Sequence, residues 1–260
     1  GYSPSSQRTI QYATPQQMSS IINNKPCRIL SFFILIFINA CTITHTPVGL
    51  DGAIKIFSDS PQNPIFGKDS DWARLGDAHD INIKSVYKGA IPVLQISSGY
   101  SNIAFLRRTN AQLLATPFLF WSWVILDGPP VHPVSLVIGF TDTKEEQNQN
   151  KIVRGIFNKQ SLPSFSRTIT LVWGERALKR GTLIMEKTNN ASKPDVRYIV
   201  RGGHENHLKW WNESIDLSQI HTSAWPTVDI SKSRVVFIGI IAVSGPVPGT
   251  MQIAQVKLSR

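Results

Sequence analysis

Beyond residue 50, apolar and polar positions alternate in a succession of short runs. Val134, Leu136, Ile138 and Phe140 alternate with Ser135, Val137, Gly139 and Thr141, and Ile169, Leu171 and Trp173 repeat the two-residue period. Val196, Tyr198 and Val200 face one way and Arg197 and Arg201 the other, the mark of a strand with one wet face. Two runs differ: 118–126 (FLFWSWVIL) and 235–243 (VVFIGIIAV) are apolar on both faces. Such strands belong in the middle of a sandwich or beneath a covering element. Further strands are predicted at 53–57, 81–87, 93–97, 102–106, 182–187, 208–215 and 251–258. Helical spacing occurs at 144–159, where Ile152, Val153, Ile156 and Phe157 share a face, and a short helix is expected around 217–225. The predicted fold is all-β: an antiparallel two-sheet sandwich of jelly-roll (galactose-binding-like) type with one or two short helices. A length of 260 residues suits one such domain behind a targeting segment.

That segment lies near the start. Lys25 and Arg28 precede the uncharged apolar stretch 29–38, which is too short to span a bilayer core but suits a signal-peptide core. Ile38-Asn39-Ala40-Cys41 follows and resembles a lipobox, the cleavage site of bacterial lipoprotein signals, with Asn39 the less usual residue. The resemblance implies diacylglyceryl transfer to the Cys41 sulfur, and two or more acyl chains anchor stably where one is marginal. An uncleaved membrane anchor and an ordinary core strand are the alternatives for this stretch. The expected organisation is 1–17 as an over-translated upstream segment, 18–40 as signal peptide, 41–51 as lipidated Cys41 with its tether, and 52–260 as one β-sandwich domain. Export would place that domain in the bacterial envelope, facing the periplasm or the exterior.

Charge changes the picture modestly. The net charge is +10; removing the three bases of 1–40 leaves 24 bases against 17 acids, a net of +7. This favours anionic surroundings. Nucleic acid has only this bulk charge behind it and is not an expected partner. Arg176, Lys179 and Arg180 form the densest group and read as a solvated turn, with an anion site as the alternative. Cys27 and Cys41 are the only cysteines, so the domain has no disulfide, thiolate metal site or cysteine nucleophile.

Several segments in order resemble the bacterial family known as domain of unknown function 3047. They are Val93-Leu94 with the small-residue run 97–101, the Pro-x-Leu-x-Trp-x-Trp strand from Pro117 to Trp123, and Leu171-Val172-Trp173. Then follow the strand and turn 197–203, Trp211 with Glu213 and Asp216, and the apolar strand from Val235. The resemblance covers roughly 52–260 and implies a jelly-roll-like domain without an established activity. The chain departs from the pattern twice. His132-Pro133 stands where an acidic pair is expected, and the run 244–249 (SGPVPG) replaces an Asp-rich turn.

Trp121 and Trp123 share a face with Leu119 and Ile125, and are read as core rather than as a sugar platform. Trp210 and Trp211 must point to opposite faces, with Trp211 on that of Glu213 and Lys209. An exposed Trp211 beside a carboxylate and an amine would suit a polyol or amino sugar; an edge packed under a loop is the alternative. His204-Glu205-Asn206-His207 has two histidines three apart, not the zinc-protease spacing, and reads as a polar turn. No Gly-x-Ser-x-Gly elbow, Walker or dinucleotide motif occurs, and no metal or cofactor is expected.

The leading expectation is a non-catalytic, lipid-tethered envelope module. Its partners are the membrane, through the lipid anchor, and a carbohydrate or cell-wall polysaccharide held by Trp211, Glu213, His204 and Trp210. Two alternatives stay open: a glycan hydrolase using Glu213 with Asp216 or Glu175, and a structural or assembly lipoprotein without a small ligand.

Overall fold

The computed structural model describes residues 46, 48–57, 72–76, 83–99, 101–142, 163–186 and 195–260. The segment read as a signal peptide, Cys41 and the helix expected at 144–159 lie outside the described residues. Residues 43–260 form one compact unit. Thr46 already belongs to it, with its backbone N–H and hydroxyl both donating to the Arg108 carbonyl.

Thirteen strands are described: β1 (Ile54–Lys55), β2 (Trp72–Gly76), β3 (Ile83–Lys88), β4 (Ile91–Ser97), β5 (Ile103–Gln112), β6 (Phe118–Asp127) and β7 (Val134–Thr141) come first. β8 (Arg167–Gly174), β9 (Leu183–Glu186), β10 (Asp195–Gly202), β11 (Trp211–Asp216), β12 (Arg234–Ala242) and β13 (Thr250–Ser259) follow. One sheet has the order β11-β6-β13-β4-β3, with β1 also paired to β13; the other runs β2-β5-β12-β7-β8-β10-β9. From β4 to β7, and again from β10 to β13, each connection crosses from one sheet to the other. This alternation is what makes the sandwich a jelly roll.

The two unbroken apolar runs lie where expected. β12 sits between β5 and β7, buried on both faces. Its Ile238 and Ile240 face the inter-sheet core with Leu119, Trp123, Ile253 and Trp173. On the other face, Phe237 and Ile241 join a second cluster with Leu106, Val137 and Phe165. The Phe165 ring meets Phe237 edge-on at 5.2 Å. Gly139 makes room for Phe237, since a Cβ there would lie 2.2 Å from the ring. The buried phenyl group contributes about 2 kcal/mol that any larger residue at 139 would endanger.

Three details depart from expectation. β2 was not anticipated in the sequence. β10 runs parallel to β8, because β9 takes the sheet edge and the chain returns antiparallel to it into the space beside β8. The strand expected at 208–215 begins only at Trp211: a 3-10 turn occupies His204–Asn206 and Leu208 adopts φ 58. The short helix is present as α1 (Leu217–Ala224), capped by Asp216, whose carboxylate accepts from the Ser218 and Gln219 amides at 2.8 and 3.1 Å. Such a cap contributes about 1 kcal/mol.

Candidate functional site

Strands β11 and β6 pair antiparallel with Trp211 opposite Trp123, Asn212 opposite Ser122, and Glu213 opposite Trp121. Alternation therefore gives the pair two distinct faces.

The inner face holds Trp121, Trp123 and Glu213. Both tryptophans are core, as expected, and meet edge-on at 5.6 Å. The Glu213 side chain is 0% exposed and accepts from three donors. Arg201 Nε lies 2.5 Å from Oε1, Arg180 Nη2 3.0 Å from Oε2, and Trp123 Nε1 3.2 Å from Oε1. Arg201, read from the sequence as facing water, reaches inward because β10 has a bulge between Ile199 and Arg201 that resets its alternation. Arg180 likewise belongs to this network rather than to a merely solvated turn. Its Nε also donates to the Val200 carbonyl.

The same network absorbs Trp211. Its indole N–H donates to the Asn206 carbonyl at 3.0 Å, and the Arg201 guanidinium lies 3.7 Å from its ring centroid. One π face and the only donor of Trp211 are thus engaged. The proposed neighbour Lys209 is exposed and donates to the Glu205 carbonyl. Trp210, just before the strand, is half-buried. Asp216 stands on the face opposite Glu213 and serves as the helix cap, so the two carboxylates do not form a pair across a substrate. Glu175, the alternative partner, is exposed on the turn after β8.

His204 is exposed, its ring 4.6 Å from that of His207, which in turn meets the Trp173 ring at 5.8 Å. Burial, and then the charge of His204, lower the His207 pKa below the usual histidine value. Among the described residues no group of three or more His, Cys, Asp or Glu is placed to hold a metal. A third histidine, His132, ties loops together. Its Nδ1 accepts from the Val134 amide and its Nε2 donates to the Asp127 carbonyl at 3.1 Å. Burial lowers its pKa, consistent with this neutral tautomer.

Among the described residues one Ser–His–Asp grouping occurs, and its hydrogen bonds run the wrong way for catalysis. Ser233 donates to Asp142 Oδ1 at 3.0 Å, leaving its oxygen to accept from His221 Nε2 at 3.4 Å. The hydroxyl proton points at the carboxylate rather than the imidazole, the reverse of nucleophile activation. Ser233 and His221 are both fully buried. Burial and the Arg167 charge push the His221 pKa down to about 4.

The outer face of the six-stranded sheet is different. A cleft of about 350 Å³ opens there, lined among others by Lys55, Phe57, Phe120, Ser122, Asn212 and Lys257. Its volume falls within the range of small-ligand sites. Phe120 and Ser122 point outward because Leu119, Trp121 and Trp123 point inward. β13 reaches the cleft through a bulge between Ala254 and Lys257, with Gln255 at φ 55; this sets Lys257 opposite both Phe120 and Lys55. The Lys257 ammonium lies 5.6 Å from the Phe120 centroid. Polar pairs bridge neighbouring strands along the same face: Ser122 donates to Asn212 Oδ1 (2.6 Å), Gln252 to Gln95 (2.8 Å), and Ser97 and Thr250 share a bond of 3.2 Å. Glu213 and Trp121 border the cleft from the inner face, whereas Trp211, Trp210 and His204 do not line it.

No family model matches the chain, and no curated protein matches it either. Among solved structures, a family 12 xyloglucanase from Bacillus licheniformis is similar, with 12% identity, a TM-score of 0.40, and 83% of this chain and 98% of that one covered. A family 30 carbohydrate-binding module of a Clostridium thermocellum cellulase gives 12% identity and a TM-score of 0.39, covering 80% and 96%. A family 11 carbohydrate-binding module from Clostridium thermocellum, in complex with a mixed-linked tetrasaccharide, gives 8% and 0.36, covering 79% and 94%. No residue of the cleft is assigned from these likenesses.

Proposed function

We propose that this is a lipid-anchored envelope protein whose β-sandwich binds carbohydrate in the cleft on the outer face of the six-stranded sheet. One observation carries the reading: Phe120 lies in an open cleft whose lining also bears the Ser122 hydroxyl and the Asn212 and Gln255 amides. A pyranose presents apolar CH groups on a ring face and hydroxyls around its rim. An aromatic ring flanked by amides and hydroxyls meets both needs. On this reading Phe120, Ser122 and Asn212 meet the sugar, and Glu213, bordering the cleft from the inner face, holds the strands that present them.

The binding claim is tested by affinity electrophoresis of the full chain against neutral and acidic polysaccharides. Retardation by at least one polymer, lost in Phe120→Ala but kept in Trp211→Phe, is the expected result. If no polymer retards the protein, or Phe120→Ala is retarded equally, the reading fails.

Anchoring rests on the Lys25–Cys41 pattern and is tested by labelled palmitate, which Cys41→Ser should no longer take up. The resemblance to the domain of unknown function 3047 family belongs to the same proposal. Its two departures meet in space, for a Cβ at Gly249 would lie 2.7 Å from His132 Nε2. A neutral histidine packed on glycine thus occupies the place where that resemblance expects acids.

A further inference from the structure

We infer that Gln255 sets the specificity of this cleft: its side-chain amide reads two adjacent equatorial hydroxyls of the sugar ring stacked on Phe120. The inference rests on the carbohydrate reading above and names the feature of the sugar that the cleft selects.

The register of β13 against β6 leads to it. Ala254 lies opposite Ser122 and Lys257 opposite Phe120, so two residues, Gln255 and Val256, face the single residue Trp121. In an unbroken ladder Gln255 would stand opposite Trp121, whose side chain belongs to the inter-sheet core, and an amide buried there without a partner would be costly. The extra residue gives the inward place to Val256, which is fully buried, and turns Gln255 out to solvent. Gln255 thereby joins Phe120, Ser122 and Asn212 in the lining of the cleft.

The outward turn is made at a cost in backbone strain. Gln255 adopts φ 55, in the left-handed region where a Cβ is crowded and glycine fits freely. Glycine would make the same bulge with less strain. An exposed glutamine at this place adds nothing to the core, so what it contributes is its amide at the cleft wall. Strain held beside an open cleft points to a side chain that is used there.

The chemistry follows from the placement. A pyranose lying flat on Phe120 directs its equatorial hydroxyls outward in the plane of the ring, toward the groups around the rim. A primary amide offers a carbonyl acceptor and an N–H donor side by side. Of two neighbouring hydroxyls, one can donate to the carbonyl while the other accepts from the N–H. Asn212 is less suited, because its side-chain oxygen already accepts from Ser122. Lys257 can only donate. Gln255 is therefore the lining amide with both ends open to such a pair. Linkage decides which glycans offer one: a 1,4-linked glucose ring keeps its adjacent 2- and 3-hydroxyls, whereas a 1,3-linked ring has the linkage between its free hydroxyls.

The test is calorimetry of the full chain with cellohexaose and laminarihexaose, which share sugar, length and charge and differ in linkage. Every interior ring of cellohexaose keeps the adjacent pair, and no interior ring of laminarihexaose does. Cellohexaose should bind about tenfold or more tightly. Gln255→Gly should lose about tenfold on cellohexaose, bringing it level with laminarihexaose, while its melting temperature holds or rises because the strain is relieved. Equal binding of the two hexasaccharides, preference for laminarihexaose, or undiminished affinity in Gln255→Gly overturns the inference and leaves the carbohydrate reading to the Phe120→Ala test. If neither hexasaccharide binds, the inference fails as well; the carbohydrate reading then fails with it only if no polymer retards the native protein in electrophoresis.

Discussion

Strands β6 and β11 build two opposite environments from one backbone ladder. Their inner face is closely packed: Glu213 accepts from Arg201, Arg180 and Trp123, Trp211 donates to the Asn206 carbonyl and stacks on Arg201, and only the Trp121 indole N–H among these side chains is left without a partner. Their outer face is open, with Phe120, Ser122 and Asn212 along a cleft that Lys55 and Lys257 border. The inner network fixes how the edge strand β11 sits on β6, and this in turn sets the outward residues in line. Polar chemistry that is fully satisfied rigidifies; polar chemistry that faces space recognises.

The sharpest way to break the comparison is to unbalance the inner face. Glu213→Ala should cost about 3 kcal/mol or more, because two arginines and an indole lose their shared acceptor. Arg180 is half exposed and can turn to water, which holds the loss toward the lower end. Urea denaturation measures it, and a change below about 1 kcal/mol would show that the network does not set the edge.

Acid should separate core from cleft next. Folded His221 has a pKa of about 4 against 6.5 when unperturbed. Above pH 6.5 both states hold it neutral and stability is full. As pH falls from 6.5 toward 4 the unfolded chain takes up a proton that the folded chain refuses, and stability declines by up to about 3 kcal/mol. Below about pH 4 this decline ends. In His221→Leu the slope of stability against pH over that window should flatten; an unchanged slope would assign the acid sensitivity elsewhere.

A smaller effect is expected at Trp211→Phe, which keeps an aromatic face for Arg201 but removes the indole donor to Asn206. The loss should be about 1 kcal/mol by thermal melting, with ligand affinity retained. A large fall in affinity with normal stability would move the binding surface back to Trp211.

How far the sequence carried these conclusions depends on which residues are considered. β12 and β6 were legible because an apolar run without alternation requires cover on both faces. The α1 helix was legible from the short apolar spacing after Asp216. By contrast β2, Trp72–Gly76, mixes Trp72, Ala73, Arg74 and Leu75 without a clear period, and its partners on β5 are about thirty residues away. At β11 the two-residue alternation correctly put Trp211 and Glu213 on one face. What alternation cannot supply is which phase is wet when both carry aromatic or charged residues. Arg201 was misassigned for a related reason: a bulge changes phase, and nothing local in Ile199-Val200-Arg201 announces it. The cleft lay beyond reach altogether, because Lys55 and Lys257 become neighbours only through the pairing of the first and last strands.

The most direct measurement of the central claim is the affinity of the Phe120→Ala full chain for a polysaccharide that retards the native protein, read together with its melting temperature. The outer-face site predicts a loss of about tenfold or more in affinity with a stability change of at most about 1 kcal/mol. Undiminished affinity in a well-folded Phe120→Ala chain would contradict it.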